Sequence, residues 1–137
     1  MVIDGVWFER GDPAQITGRY AAILNSYGVR RITGDRYAAE WPRQEFRKYS
    51  ITLEPSEKNR SELYLELLPM LQTGAVELAP DEKALMQLAM LERRTSRTGR
   101  DTIDHAPGGH DDRANAMAGA AWLASSSAGY INYRDLL

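Results

Sequence analysis

The chain has 137 residues, 43% hydrophobic and 26% charged, with a formal net charge of -2 at pH 7. That is enough for one domain with a real core, and its composition is that of an ordinary globular protein. No cysteine is present, which excludes disulfides, thiolate metal sites and cysteine nucleophiles. No apolar run approaches the ~20 residues needed to span a bilayer, and the near-neutral balance is not that of a passive, strongly basic DNA binder. Contact with nucleic acid would have to come from local basic patches.

Val2 to Glu9, with Trp7 and Phe8, reads as a strand stopped by Gly11. Asp12-Pro13-Ala14-Gln15 is a helix start, with aspartate as cap and proline at the first helical position. Ile16, Tyr20, Ile23, Leu24 and Tyr27 share one face of that helix, and Gly28 is its expected stop. Val29 to Thr33 is a short apolar strand ending at Gly34-Asp35. Trp41-Pro42 opens a shorter helix carrying Phe46 and Tyr49, and Ile51 to Leu53 is another short strand, followed by a loop containing Lys58.

Asn59 with Glu62 forms a second capping pattern. Leu63, Leu67, Met70 and Leu71 face one way on the helix that follows, with Pro69 predicting a kink and Gly74 an end. Ala75 to Leu78 is predicted as a brief strand, and Asp81 as the cap of a helix displaying Leu85, Leu88 and Leu91. A basic run, Arg93, Arg94, Arg97 and Arg100, leads into a predicted Gly99–Gly109 loop. The last helix starts near Asp111 and buries Ala114, Met117, Ala118, Ala121 and Trp122, and the tail from Ser125 is polar. Strands alternating with helices predict an α/β domain with a largely parallel sheet, whose sites form at the carboxyl ends of its strands.

Chemistry concentrates between Gly99 and Asn115, which holds Asp101, Asp104, Asp111, Asp112 and both histidines, His105 and His110. Adjacent carboxylates repel unless a cation or strong donors hold them. Asp35 at a strand end, with Asp111 and Asp112 at a helix start, offers hard oxygen ligands suited to Mg²⁺ or Mn²⁺. Read one at a time, the same aspartates are a turn residue and helix caps, and a loop histidine between glycines is a solvated residue or a carboxylate's partner. The arginine run and Lys58 suit either phosphate contact or a solvated surface. Neither a Walker A sequence nor a Gly-x-Ser-x-Gly elbow is present.

Ile32-Thr33-Gly34-Asp35-Arg36-Tyr37-Ala38-Ala39-Glu40-Trp41-Pro42 and Gly109-His110-Asp111-Asp112-Arg113-Ala114-Asn115-Ala116 resemble the nuclease domain of large terminase subunits, the DNA-packaging motor proteins of tailed phages. Ser56-Glu57-Lys58 with Ser61-Glu62-Leu63-Tyr64 is similar too. The resemblance implies an RNase H-like α/β fold, a mixed sheet flanked by helices, over residues 1–126, with 127–137 as a C-terminal tail. It also implies a metal-dependent endonuclease that cuts concatemeric double-stranded DNA, using Mg²⁺ or Mn²⁺. Its partners would be DNA and other terminase or portal components, with no membrane, in the cytoplasm of a bacterial host.

Of the family's three aspartate positions, the second matches Asp35, and the third matches the Asp111–Asp112 pair, with Asp112 favoured and Asp111 as co-ligand. Lys58, Arg97 and Arg100 are the candidate nucleic-acid contacts. The chain departs from the family at the first position: its opening strand matches the third strand of the RNase H-like fold, so the first two strands and the first aspartate are expected to be lacking. Asp4 reads as an exposed strand position, because no hairpin separates its strand from the first helix. A fragment, a split gene product completed by another polypeptide and a decayed remnant are the situations this implies. The alternative function is a catalytically incomplete module that docks DNA or a packaging component through Arg93, Arg94, Arg97 and Arg100. A resolvase- or transposase-type nuclease shares the carboxylate logic, and only the two matched stretches separate it from a terminase.

Overall fold

A computed structural model describes residues 1–36 and 40–126. Tyr37, Ala38 and Ala39, in the first of the matched stretches, and the tail 127–137 lie outside the described residues. The described elements are α1 (Pro13–Ser26), β1 (Arg31–Gly34), α2 (Glu40–Arg47), β2 (Thr52–Pro55), α3 (Arg60–Gln72), α4 (Glu82–Ala89), β3 (Leu91–Thr95), β4 (Asp101–His105) and α5 (Asp112–Ser126). The protein is thus a mixed α/β fold. It divides into two compact units: Phe8–Asn59, and Met1–Trp7 together with the residues from Arg60 onward.

In the Phe8–Asn59 unit, α1 begins as its sequence dictates. Asp12 accepts the Gln15 N–H through its carboxylate at 3.0 Å, and Pro13 holds the first helical position. The helix ends where Gly28 takes a φ of +69°, letting the Val29 N–H turn back to the Leu24 carbonyl at 2.9 Å. β1 and β2 pair in parallel, with Ile32 opposite Leu53 and Thr33 opposite Glu54. Gly34 is needed there, because a Cβ at that position would stand 2.9 Å from Leu53 Cδ1. Behind the pair, Ile51, Ala21 and Thr17 are buried.

The other unit contains the main core. Leu63, Tyr64 and Leu67 of α3 pack with Ala84 of α4 and with Ala114, Met117, Ala118 and Ala121 of α5, joined by Ile3, Val76 and Ala79. Ala114, Ala118 and Ala121 of α5 are fully buried, so the helix backbones approach closely with little side chain between them. Two polar ties join α4 to α5. Asp81 caps α4 by accepting the Ala84 N–H at 2.7 Å and also pairs with Arg113 at 2.8 Å. Gln87 of α4 accepts the Arg113 and Ala114 N–H groups at 2.9 and 3.1 Å, so a residue from a neighbouring helix caps α5.

Several local expectations fail for reasons of partnership. Val2–Glu9 is not a strand: Val2 makes one parallel bridge to Glu77, and no ladder continues from it. Ala75–Leu78 is reduced to the same bridge. β-rich sequence needs a paired strand beside it to become a strand, and among the described residues these segments pair only through that one bridge. The helix drawn through Leu91 stops at Ala89, and Leu91 opens β3. The predicted Gly99–Gly109 loop contains β4, which pairs antiparallel with β3, Arg93 opposite Ile103 and Arg94 opposite Thr102. Pro69 lies inside α3, which continues to Gln72. Trp122 is half-buried, and Ser125 and Ser126 still belong to α5.

Two measurements test the α4–α5 ties. Gln87→Ala should cost about 1 kcal/mol in a urea melt, the usual size of a lost helix cap. The Ala84 N–H and then Arg113 hold the Asp81 carboxyl below its ordinary value. Its contribution is therefore present above the unfolded pKa and is lost as pH falls through the lower folded one. Asp81→Asn should melt below the wild type at pH 7, and the gap should shrink in scans taken below about pH 4.

Candidate functional site

The adjacent aspartates at the start of α5 have opposite environments. Asp111 is 3% exposed. Tyr64 donates its hydroxyl proton to Asp111 Oδ2 at 2.7 Å, and Arg60 Nη1 stands 3.2 Å from Oδ1. Each oxygen of this buried carboxylate therefore has a donor, the condition under which a charge is tolerated inside a protein. The Asp111 backbone carbonyl accepts the Asn115 N–H at 2.8 Å and so begins the helix. Its side chain does not cap, because Gln87 already serves those amides. Burial, then the hydrogen bond to Asp111 and its negative charge, push the Tyr64 hydroxyl well above the ordinary tyrosine pKa, so it stays a donor.

Asp112 is exposed, and its carboxylate makes no hydrogen bond or ion pair among the described residues. It stands in the first turn of α5, where the helix dipole favours a negative charge. The neighbour that cannot move thus sets the direction of the one that is available. Sequence reasoning placed both residues correctly on the helix start, but nothing in the Asp-Asp dipeptide says which of them is locked.

The rest of the Gly99–Asn115 stretch is held internally. Arg60 Nη1 also lies 3.5 Å from Asp104 Oδ1. Ser61 donates its hydroxyl to the Ile103 carbonyl at 2.8 Å and accepts the Ile103 N–H at 2.9 Å, fastening α3 to the outer edge of β4. His105 Nδ1 contacts its neighbour's carbonyl, Ala106 O, at 2.9 Å, and Nε2 lies 3.7 Å from Asp104. His110 is exposed. Asp101 pairs with Arg93 and with the Thr95 hydroxyl, and these hydrogen bonds lower its pKa.

Of the basic run, Arg93 is held by Asp101 and Arg94 by Glu92 at 3.0 Å. Arg97 and Arg100 stand exposed at the tip of the β3–β4 hairpin, with no side-chain partner among the described residues. Sequence reasoning missed Arg60, Tyr64 and Gln87 as supports of the aspartate pair. Tyr64 sits inside the matched Ser61–Tyr64 stretch, yet its partner is 47 positions away.

In the Phe8–Asn59 unit, Asp35 follows the carboxyl end of β1 and is exposed. Arg36 Nε donates to the Ser56 carbonyl at 3.3 Å, and a second guanidinium nitrogen reaches the Glu57 carbonyl. Ser56 donates its hydroxyl to the Lys58 carbonyl at 2.7 Å. The turn carrying Asp35 and the loop carrying Lys58 are thereby tied across the ends of the two strands.

Asp35 and Asp112, in different units, each offer hard carboxylate oxygens, and among the described residues no three His, Asp or Glu side chains gather to hold an ion. Asp111 and Asp104 already share the Arg60 guanidinium. Asn115, one turn further on α5, buries an Oδ1 that has no donor among the described residues. Gly119, four residues later on the same face, would place a Cβ 3.9 Å from Leu63 of α3. That stripe faces the helix interface, not the exposed Asp112.

No known family pattern and no curated protein sequence matches the chain. Solved structures do. The large terminase nuclease from thermophilic phage G20c aligns with a TM-score of 0.69 at 20% identity, covering 84% of this chain and 64% of its own. The nuclease domain of the Thermus phage P74-26 large terminase aligns with a TM-score of 0.66 at 21% identity, over 82% and 60%. The HK97 bacteriophage large terminase aligns with 0.60 at 15% identity, over 80% and 25%. The chain therefore has the fold of a large-terminase nuclease domain, and it spans about three-fifths of the length of the G20c and P74-26 domains. The G20c nuclease has been solved with bound cobalt and with bound magnesium.

Stability should separate the two aspartates. Tyr64→Phe strips one donor from a buried carboxylate and should cost about 2 kcal/mol in chemical denaturation. Asp112→Asn should change stability by less than about 0.5 kcal/mol, as exposed substitutions do. Equal effects would contradict the assignment of Asp111 as the locked member.

Proposed function

We propose that the chain contributes to a metal-dependent endonuclease of the large-terminase kind, acting on double-stranded DNA during packaging. The observation that carries this reading is the exposed, unengaged Asp112 carboxylate on a helix start braced by Gln87, Tyr64 and Arg60, within a large-terminase nuclease fold. In this reading Asp112 is the metal-binding member of the α5 pair with Asp111 positioning it, and Asp35 is the metal-binding carboxylate of the Phe8–Asn59 unit. Held by these carboxylates, Mg²⁺ or Mn²⁺ would supply Lewis-acid chemistry for phosphodiester hydrolysis. Because the described residues do not gather three ligands, no catalytic step is assigned to this chain alone. Its further partners would be terminase or portal components, in the cytoplasm of a phage's bacterial host.

Incubation with supercoiled plasmid and Mn²⁺ tests this reading. Nicking or linearisation that disappears in both Asp35→Ala and Asp112→Ala supports it. Cleavage that survives in both removes these aspartates from the mechanism.

One observation favours a second reading. Arg97 and Arg100 are exposed at a hairpin tip with no side-chain partner among the described residues, and no three possible metal ligands gather among those residues. In that case the chain binds DNA or a packaging component without cutting. DNA affinity should then fall steeply with salt, and Arg97→Ala with Arg100→Ala should reduce the logarithmic salt slope by about 2, roughly one unit per lost phosphate contact. An unchanged slope would take the hairpin tip out of the interface.

A further inference from the structure

The two compact units differ in how much apolar surface they bury. Among the described residues, Phe8–Asn59 buries two apolar side chains, Ala21 and Ile51, and two polar ones, Thr17 and Glu45. The other unit joins eleven buried apolar residues in one cluster, to which neither Ala21 nor Ile51 belongs. Ile16, Ile23 and Leu24, on the apolar face of α1, are only partly buried. Trp41 of α2 and Tyr49 beyond it are exposed. Apolar burial is the main favourable term in folding, and conformational entropy opposes it at every ordered residue. A core this small sets little against the ordering of the chain around it.

The polar and backbone supports of Phe8–Asn59 do not make up the difference. Its sheet is two parallel strands of four residues each, with no fully buried position. Two strands alone are marginal in water. The buried Glu45 carboxylate is met by Lys48, whose side chain stands largely in solvent. Arg19 with Glu9 and Arg31 with Glu54 are exposed pairs, which contribute little. The Thr17 hydroxyl turns back to the Pro13 carbonyl of its own helix at 2.8 Å. Ser50 takes a φ of +59°, in the left-handed region that is costly for a residue with a Cβ. In the other unit, by contrast, the buried Asp111 carboxylate has a donor on each oxygen, and α4 and α5 exchange capping groups.

We infer that Phe8–Asn59 is a separate cooperative unit, which opens while α3, α4 and α5 stay folded. Segments with few buried apolar contacts open at a lower free energy than the whole chain. The division runs between the candidate carboxylates. Asp35 and Lys58 belong to the unit that opens, and Asp112 stands on the braced helix start of the unit that stays. Asp35 is then presented only in the closed form, and Asp112 in both. Unequal burial carries this, whether or not the chain cuts DNA.

Native-state hydrogen exchange on the full 137-residue chain, followed through low concentrations of urea, tests it. Amides of α1, β1 and β2 should exchange through one shared opening. Their protection should be about tenfold or more below that of α3 and α5, with a shallower dependence on urea because less surface is exposed. Ala118→Gly weakens α5 in the other core. It should speed exchange in α3 and α5 about fivefold and leave α1, β1 and β2 unchanged. Urea dependences that coincide in the two units, or an Ala118→Gly effect of equal size in both, overturn the inference in favour of a single cooperative fold. Opening of α3 and α5 before α1 overturns it as well. So does exchange in α1, β1 and β2 at the rate of an unstructured chain, because no closed form would then exist to open. If Ala118→Gly fails to fold, the wild-type urea dependence alone decides.

Discussion

The buried Asp111 carboxylate organises the unit built around α3, α4 and α5. A charge at 3% exposure is costly unless every oxygen has a donor, and Tyr64 and Arg60 supply one each. Both donors come from α3, so satisfying Asp111 brings the start of α5 against the start of α3. Arg60 extends the tie to Asp104, and Ser61 fastens the same turn of α3 to Ile103. One polar requirement thus gathers a helix start, a strand edge and the hairpin that follows α4.

The same requirement explains why Gln87 matters. An aspartate at a helix start ordinarily caps it with its own side chain. Asp111 cannot do so while its oxygens are held by α3, and the first amides of α5 would then lack partners. Gln87 meets them from α4, and Arg113 reaches back to the Asp81 cap. Helices α4 and α5 are consequently locked by exchange of capping groups rather than by large apolar side chains, which suits an interface lined with alanine. Asp112, next in sequence, keeps an exposed carboxylate on that braced helix start.

What the chain shows locally and what its fold imposes diverge at identifiable places. The caps at Asp12 and Asp81 and the stops at Gly28 and Gly74 follow from interactions spanning four or five residues, and they stand as read. The β3–β4 hairpin was not legible, because charged Arg93 and Arg94 carry little strand signal and pair with β4 across a turn of polar residues. The Val2–Glu9 strand was over-read for the opposite reason: its β-branched and aromatic residues suit a sheet, but among the described residues the segment's β-pairing is confined to the bridge of Val2 with Glu77. Trp7 and Phe8 stay about half exposed.

By itself the sequence determined the α/β class and most helix boundaries. These depend on side-chain type and on spacing along one turn of helix or strand. Only the tertiary structure decided which aspartate is bound and which is available. That choice rests on Tyr64 and Arg60, 47 and 51 positions away, and on Gln87 taking over a cap.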